Sequence, residues 1–304
     1  MTNASEKTKI LLSIAALVSL ATIFAALIGW RLYGAITAFA APKNLDCGCT
    51  ATVGWSPQFL ILLTAGLLFG SGLLAGASYA ALTIFKTRRF TQRLLASKIP
   101  TPIAANLIIK KLNLQDQVTF FEAAEFQACT FGLFCPRIAV SRTAATRLSE
   151  REFSALLLHE AHHRAERDPL KILILDTLQY TFFFIPLLKY LVKRYKVAAE
   201  IEADEKTGDA TALGQALLRF TETAFGAAVT ASFASALQLR LERLVQKGRP
   251  AKSPLPKGLL LLTLLVFGGL GLVADQNSTS TSADSICRFQ EIRCLEIMSA
   301  NRQI

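Results

Sequence analysis

The sequence predicts a mainly α-helical membrane protein that has three transmembrane helices, one membrane-dipping segment and a cytoplasmic α+β domain. The composition is the first observation behind this class, because hydrophobic residues make up 52% of the 304 residues and charged residues only 18%. The second is the presence of three uncharged apolar runs, Ile10–Trp30, Phe59–Phe85 and Gly258–Ala274. The first two runs are long enough to cross a bilayer core, and the third is at the short end of that range.

The basic residues behind the net charge of +11 are concentrated in one part of the chain. Between Lys86 and Lys257 lie 26 of the 33 Lys and Arg residues, whereas the loop between the first two apolar runs holds only Arg31 and Lys43. Cytoplasmic segments of membrane proteins carry such an excess, so we expect 86–257 to face the cytoplasm of a multi-pass inner-membrane protein. Basic and aromatic residues are not interleaved in a recognisable nucleic-acid-binding module, which argues against direct binding to nucleic acid.

These features divide the chain into five parts. Residues 1–57 would hold the first transmembrane helix and an external loop, and 58–85 the second transmembrane helix. The cytoplasmic domain would cover 86–257. A last transmembrane helix at 258–274 would lead to a short external tail, 275–304, so that the C-terminus lies outside.

The cysteines divide along the same boundary. Four of the six fall in the parts that are predicted to be external: Cys47, Cys49, Cys287 and Cys294. Disulfides persist in such an oxidising compartment, so a bond could tie the external loop to the tail. Cys129 and Cys135 fall in the cytoplasmic domain and are expected to be free thiols within its core.

Small residues recur in the second apolar run as Gly66-x-x-x-Gly70 and Gly72-x-x-x-Gly76. Such patterns let the backbones of two membrane helices approach closely. The partner could be the first transmembrane helix or another copy of the protein. A homodimer is therefore one expected partner, in addition to the lipid bilayer.

All three histidines of the chain lie within the six residues Leu158–His163. On a helix, His159 and His163 would lie one turn apart on one face, where both imidazoles could bind a single Zn²⁺ ion. Glu160 follows the first histidine and could act as the general base toward the attacking water. This is the H-E-x-x-H arrangement of zinc peptidases, so we expect a zincin-like (gluzincin) endopeptidase domain.

Local signals predict the elements around this motif. Ser149 and Glu152 form an S-x-x-E capping box, which predicts a helix that begins near Ser149. Asp168-Pro169 then predicts a new helix, with Asp168 as its N-cap and Pro169 at the first position.

Two short strands are predicted upstream, Gln117–Phe121 and Arg137–Ser141, with Gly132 in a turn between them. The second strand precedes the helix of the motif. It could therefore be the sheet edge along which an extended peptide substrate aligns, or an ordinary structural strand.

The segment Ile172–Leu188 is apolar, yet it contains Asp176 and Pro186. If this segment crossed the membrane once, Glu200 would emerge on the opposite side from the histidines. We therefore expect 172–192 to enter the membrane and return, or to lie against it, without crossing.

The third protein ligand of the zinc is predicted to be Glu200, because His-His-Glu is a known zinc set. Asp204 lies four residues later on the same helical face and could accept the second N–H of a ligand imidazole. Asp168 is a second candidate for that role. Glu202 is expected to point away from the metal into solvent.

With these residues in view, the chain resembles the antirepressor family of membrane zinc metallopeptidases, the beta-lactam sensor-transducers. The likeness covers about Thr130–Lys257, and its motifs are Phe131-Gly132-Leu133-Phe134-Cys135-Pro136-Arg137, Leu148-Ser149-Glu150-Arg151-Glu152, His159-Glu160-Ala161-His162-His163 with Asp168-Pro169-Leu170, and Glu200-Ile201-Glu202-Ala203-Asp204. It implies a signal-activated enzyme that cleaves itself and a cytoplasmic transcriptional repressor, with Glu200 as the third zinc ligand. The chain departs from such relatives in its last thirty residues, which hold no lysine and hence no S-x-x-K nucleophile of a penicillin-binding sensor domain.

Two other interpretations stay open. Membrane quality-control peptidases related to the prenyl-protein protease share H-E-x-x-H and E-x-x-A-D, and residues 200–204 also satisfy the second pattern. A receptor or scaffold that keeps the peptidase fold without cleaving belongs to a different class. Loss of cleavage in a Glu160 variant would favour the enzyme over that scaffold.

Overall fold

The computed structural model of the protein describes residues 3–40, 57–123, 126–224 and 256–275. Within these ranges two helices are long and apolar enough to cross a membrane, α1 (Asn3–Ala40) and α2 (Pro57–Ala96). Only 17% of the apolar window of each helix is buried, so most of its side chains point away from the rest of the described chain. The third predicted span forms α9 (Lys257–Asp275), which is apolar but shorter. The mainly helical class is as predicted, and the third span stays a prediction.

Helix α2 does not end where its apolar run ends. It continues through the basic residues Lys86, Arg88, Arg89 and Arg93 to Ala96, because no glycine or proline interrupts this stretch. The predicted boundary between 85 and 86 therefore lies inside one continuous helix.

The described part of the chain contains a four-stranded sheet with the order β1-β2-β4-β3. Its strands are β1 (Lys98–Ile99), β2 (Val118–Phe121), β3 (Ala128–Phe131) and β4 (Arg137–Ser141), and α3 (Ile103–Lys111) follows β1. The pairs β1–β2 and β3–β4 are antiparallel, and β2–β4 is parallel. Both predicted strands are present, within one residue of their predicted bounds. Of the two alternatives for Arg137–Ser141, the structure supports the ordinary structural strand, since β3 pairs with the outer side of β4 and is itself the edge.

The remaining helices are α4 (Arg142–Arg147), α5 (Glu150–Glu166), α6 (Asp168–Thr181), α7 (Pro186–Lys206) and α8 (Ala210–Ala224). One hydrophobic core joins the sheet to α3 and α5, with Phe120, Val140 and Phe153 among its buried members. A second core joins α1, α2, α7 and α9. Helix α5, which carries the histidines, thus rests on the sheet of the domain.

Helices α6 and α7 form a hairpin that reverses at 182–185 and lies beside α2. Phe184 in the turn packs edge-on against Phe69 of α2, with the ring centroids 5.0 Å apart. Thr181 lies so close to Gly72 and Gly76 of α2 that a Cβ at either glycine would overlap it. The close partner of these two glycines is therefore α6 of the same chain, and not α1 or a second copy.

Several sequence predictions fall outside the described residues. These include the bond between the external loop and the tail, since Cys47, Cys49, Cys287 and Cys294 all lie there, and the external tail from residue 276 onward. Cys129 and Cys135 are free thiols, as predicted. Cys129 is half-buried, but Cys135 is exposed, so the expectation of two core cysteines is wrong for Cys135.

Candidate metal centre

Helix α5 begins with the predicted capping box. The Ser149 hydroxyl accepts a hydrogen bond from the N–H of Glu152, and the Glu152 carboxylate accepts one from the N–H of Ser149. Burial raises the pKa of Glu152, but these hydrogen bonds and the Arg219 guanidinium, 3.0 Å away, outweigh it, so the pKa lies below its usual value. Four N–H groups at a helix start lack partners within the helix, and the box satisfies two of them.

The end of α5 sets the start of α6. Arg167 adopts the left-handed conformation, with φ of 54°, and serves as C-cap of α5 and N-cap of α6. Asp168 is the first residue of α6, so its prediction as N-cap is off by one position. This tight corner keeps Asp168 beside the last turn of α5.

The residues predicted to bind zinc come together in the structure. Nε2 of His159 and Nε2 of His163 face each other at 3.1 Å across one turn of α5. The Glu200 carboxylate approaches from α7, with Oε2 3.7 Å from Nε2 of His159 and Oε1 3.5 Å from Nε2 of His163. His163 and Glu200 are 37 positions apart in the sequence. They share one site because α7 runs back antiparallel to α6.

These separations fit a metal ion. Three ligands of a tetrahedral zinc, with bonds of about 2.0–2.1 Å, lie about 3.3 Å from one another. Two Nε2 lone pairs at 3.1 Å repel each other unless a proton or a cation lies between them. The site is also shielded, since the His159 side chain is only 6% exposed and that of His163 only 11%. The two imidazole nitrogens and the carboxylate therefore suit a metal ion such as zinc, as the H-E-x-x-H motif predicts.

Each imidazole is supported by an aspartate on its far side. Nδ1 of His163 lies 2.7 Å from Oδ2 of Asp168, and Nδ1 of His159 lies 3.0 Å from Oδ1 of Asp204. Both aspartates are buried. A carboxylate at Nδ1 keeps the proton on that nitrogen and leaves Nε2 as the donor for a metal. Both predicted supporting residues are therefore in contact with the predicted ligands.

Electrostatics couples His163 to Asp168. Burial lowers the pKa of His163, but the hydrogen bond to Asp168 and the nearby Glu200 and Glu160 carboxylates outweigh it and raise the pKa above its usual value. Burial raises the pKa of Asp168, but its hydrogen bond to His163 and the nearby cations outweigh burial. The pKa of Asp168 therefore lies below its usual value. Asp168 thus stays ionised, as the partner of an N–H donor should.

Glu160 lies beside the triad with its carboxylate held by the sheet edge. The Thr130 hydroxyl, on β3, is 2.8 Å from Oε2 of Glu160 and 2.9 Å from the Glu160 carbonyl oxygen. Sequence reasoning missed Thr130. Its strand is only four residues long, and no local pattern connects it to a helix thirty positions later.

A family model for the BlaR1 peptidase M56 family matches residues 48–244, which is more than half of the chain. The chain belongs to the BlaR1 peptidase M56 family. The matched range contains α5, α7 and the sheet, which are the elements that bring the triad together, and it confirms the resemblance stated from the motifs. No curated protein matches the chain.

Two adjoining cavities surround the centre of this M56 peptidase. The first, of about 410 Å³, is lined by the triad and by apolar residues that include Phe126, Leu156 and Leu213. The second, of about 350 Å³, lies between β3, α6 and the 79–90 stretch of α2. Four residues line both cavities: Cys129, Thr130, Pro169 and Ile172. Burial and the Glu160 carboxylate raise the pKa of the Cys129 thiol to about 12, so it stays protonated there.

Glu202 does not point into solvent, contrary to the sequence prediction. Its side chain is only 13% exposed, and its Oε2 lies 2.8 Å from Nζ of Lys7 on α1. The side of α7 opposite the triad is covered by α1, which packs along it. A carboxylate two residues after Glu200 is thus buried on the reverse face of the same helix.

Proposed function

We propose that this protein is a membrane-embedded zinc metalloendopeptidase that is activated by a signal and cleaves itself, a cytoplasmic transcriptional repressor or both. One observation carries the proposal. Nε2 of His159, Nε2 of His163 and the carboxylate of Glu200 converge with the spacing of zinc ligands, and Glu160 lines the same cavity. Membership of a peptidase family supports the cleavage reaction.

The residues of this site divide the chemistry between them. A zinc ion held by the triad would act as a Lewis acid toward the peptide carbonyl and lower the pKa of a water molecule at the open position. Glu160 is assigned as the general base that accepts the proton of the attacking water. Thr130 donates a hydrogen bond to Oε2 of Glu160, so we assign the proton to Oε1. Asp168 and Asp204 lie at Nδ1 of the two imidazoles, so that both Nε2 atoms would be available to hold the ion.

The substrate is proposed to bind as an extended strand along β3. This strand is the edge of the described sheet next to α5, and an edge offers unpaired N–H and C=O groups to an added strand. Cys129 and Thr130 belong to β3 and line both cavities, so a peptide paired with β3 would run past the triad from one cavity into the other.

The peptidase domain is proposed to lie on the cytoplasmic face of the inner membrane, with the C-terminus outside. The excess of Lys and Arg in 86–257 supports this side. The second cavity adjoins the site and is lined by Thr83, Lys86 and Phe90 of α2, where the apolar run gives way to basic residues. A metal centre at that level would act on segments presented at the membrane surface. The packing of the α6–α7 hairpin beside α2 supports a dip of 172–192 into the bilayer.

The test uses the full chain purified in detergent. We expect metal analysis to give about one zinc per chain, as a three-residue catalytic site holds a single ion, and Glu200→Ala to lose it. Glu160→Gln should retain zinc and abolish cleavage of the chain itself and of a co-purified winged-helix repressor. Glu205→Gln, an exposed neighbour on α7, is the matched control.

The outcomes separate the competing functions. Cleavage of casein and misfolded membrane proteins, with the repressor left intact, would favour a quality-control peptidase. Zinc binding without any cleavage by the wild type would favour a receptor or scaffold. Cleavage that persists in Glu160→Gln would reject the mechanism.

A further inference from the structure

The first turn of α1 reaches the back of the metal centre with a buried charge. The Lys7 side chain is only 7% exposed, and its Nζ lies 2.8 Å from Oε2 of Glu202 and 3.8 Å from Oε2 of Glu166. Lysine is almost never so buried unless it is paired. The ammonium therefore forms ion pairs with carboxylates from two different helices.

Those two helices are the ones that carry the triad. Glu202 lies two residues after Glu200 on α7, which is about 200° around a helix of 3.6 residues per turn. Glu166 lies three residues after His163 at the end of α5. Lys7 thus contacts the side of α7 that faces away from the triad, and it also contacts the last turn of α5, just beyond His163.

Neighbouring contacts fix α1 in this position. Glu6 pairs with Arg194 of α7 at 2.6 Å, about two helical turns before Glu202. The ring of Tyr195, which is fully buried, lies 5.8 Å from Nζ of Lys7. Ile10 and Ile14 continue the contact in the core that α1 shares with α7. The Lys7 side chain has little freedom to follow Glu202 if α7 turns.

We propose that Lys7 is a positioning residue of the metal centre, which acts through Glu202. By holding the Glu202 carboxylate, it sets the rotation of α7 about its axis and so places Glu200 against the two histidines. Without the ammonium, a buried and unpaired carboxylate would be relieved by turning α7 until Glu202 meets water. The same turn carries Glu200 away from the histidines. This inference rests on the proposed metal centre.

The test compares variants of the full chain in detergent by their affinity for zinc, measured against a chelator. Lys7→Met should weaken zinc binding by about tenfold or more, which is the order of loss seen when groups outside the ligand set that orient the ligands are removed. The double variant Lys7→Met with Glu202→Gln should regain most of that affinity, because no carboxylate is left unpaired. Lys7→Arg should also retain affinity. Lys9→Met, an exposed lysine on the same helix, is the matched control and should match the wild type.

Two further readouts separate positioning from a general loss of stability. With Co²⁺ in place of zinc, the visible absorption of Lys7→Met should differ from that of the wild type, because the ligand geometry has changed. In peptide cleavage, kcat should fall while KM stays within about twofold, since Lys7 is remote from the substrate cavities.

The inference is overturned if Lys7→Met binds zinc and Co²⁺ as Lys9→Met does, or if it loses only thermal stability. It is also overturned if the double variant is no better than Lys7→Met alone. If Lys7→Met does not fold, the double variant decides, because recovered folding without recovered zinc affinity rejects the idea. His159→Ala keeps the two proposals apart. If both Lys7→Met and His159→Ala bind zinc normally, the metal centre itself is refuted. If His159→Ala loses zinc but Lys7→Met does not, only the role of Lys7 is refuted.

Discussion

Replacing Asp168 with asparagine tests how the metal centre holds its second histidine. Asp168 is 1% exposed, and its Oδ2 lies 2.7 Å from Nδ1 of His163. Asparagine has the same shape and can still accept the N–H through its carbonyl oxygen, but it lacks the negative charge. Loss of such a partner typically weakens metal binding by about 10–100-fold. We therefore expect a cost of about 1.4–2.7 kcal/mol in zinc binding for Asp168→Asn.

The pH of the measurement decides how much of this cost is visible. The pKa of His163 is raised in the metal-free protein, so protons compete with zinc as the pH falls through that pKa. Asp168→Asn removes a cause of the raised pKa, so this competition weakens and offsets part of the loss near neutral pH. At about pH 8.5 the competition fades for both proteins, and the full loss in affinity should appear.

The assay is competition with a fluorescent zinc chelator at about pH 7 and about pH 8.5. Asp116→Asn is the matched control, because Asp116 is exposed and has φ of 62°, a conformation that asparagine adopts readily. If Asp168→Asn folds normally and binds zinc at the higher pH within about twofold of the wild type, the support of His163 by Asp168 adds nothing to the metal centre.

Three other changes test separate parts of the structure. Thr130→Val should lower kcat about tenfold without changing zinc affinity, because it frees the Glu160 side chain from the position in which Thr130 holds it. Thr130→Ser should keep the activity, and equal kcat for all three proteins would contradict this role. Glu152→Gln should lower the melting temperature near pH 7, and the gap to the wild type should close in acid. The folded pKa of Glu152 lies below its unfolded value of 4.5, so its stabilisation is present above 4.5 and is lost as the pH falls through the folded pKa; a gap that is independent of pH would be the contrary result. Gly72→Ala should destabilise the protein in detergent by about 1–3 kcal/mol, because its Cβ would overlap α6. Gly70→Ala, with nothing within 4 Å of the added Cβ, should not, and equal melting temperatures of the two variants would disprove the close contact.

The parts of the site that the sequence predicted are those that depend on spacings of three or four residues. The capping box joins Ser149 to Glu152, and the H-E-x-x-H motif joins His159 to His163, each within one helical turn. Helical geometry alone fixes these pairs once the helix is recognised. The contact of Asp204 with an imidazole follows from the same rule, because Asp204 lies one turn after Glu200.

The parts that sequence reasoning missed depend on contacts between distant segments. Thr130 reaches Glu160 because β3 pairs with β4. A four-residue edge strand is too short to be predicted from its length or from an alternation of apolar and polar residues. Glu202 was expected in solvent because a charged residue away from the site is usually exposed. Its burial requires Lys7, which lies on the first helix of the chain, and a single sequence carries no sign that the two charges meet.

The reversal of the chain after α6 is a long-range feature that the sequence did predict. Binding of one zinc requires Glu200 to lie close to the two histidines, and hydropathy alone does not give that constraint. If one metal is to be bound by residues on both sides of 172–192, the chain has to turn back. The turn lies beside Phe69, which is 16 residues or about 24 Å of helix from Phe85 at the end of the apolar run. Asp176, the residue that makes this segment unlike a simple span, is then paired with Lys196 at 2.7 Å and with the Tyr79 hydroxyl at 3.1 Å. A helix that crossed once would not have brought Lys196 back to that level, and its buried carboxylate would have lacked a cation. The same reversal therefore brings Glu200 to the two histidines and gives the carboxylate of Asp176 its cationic partner.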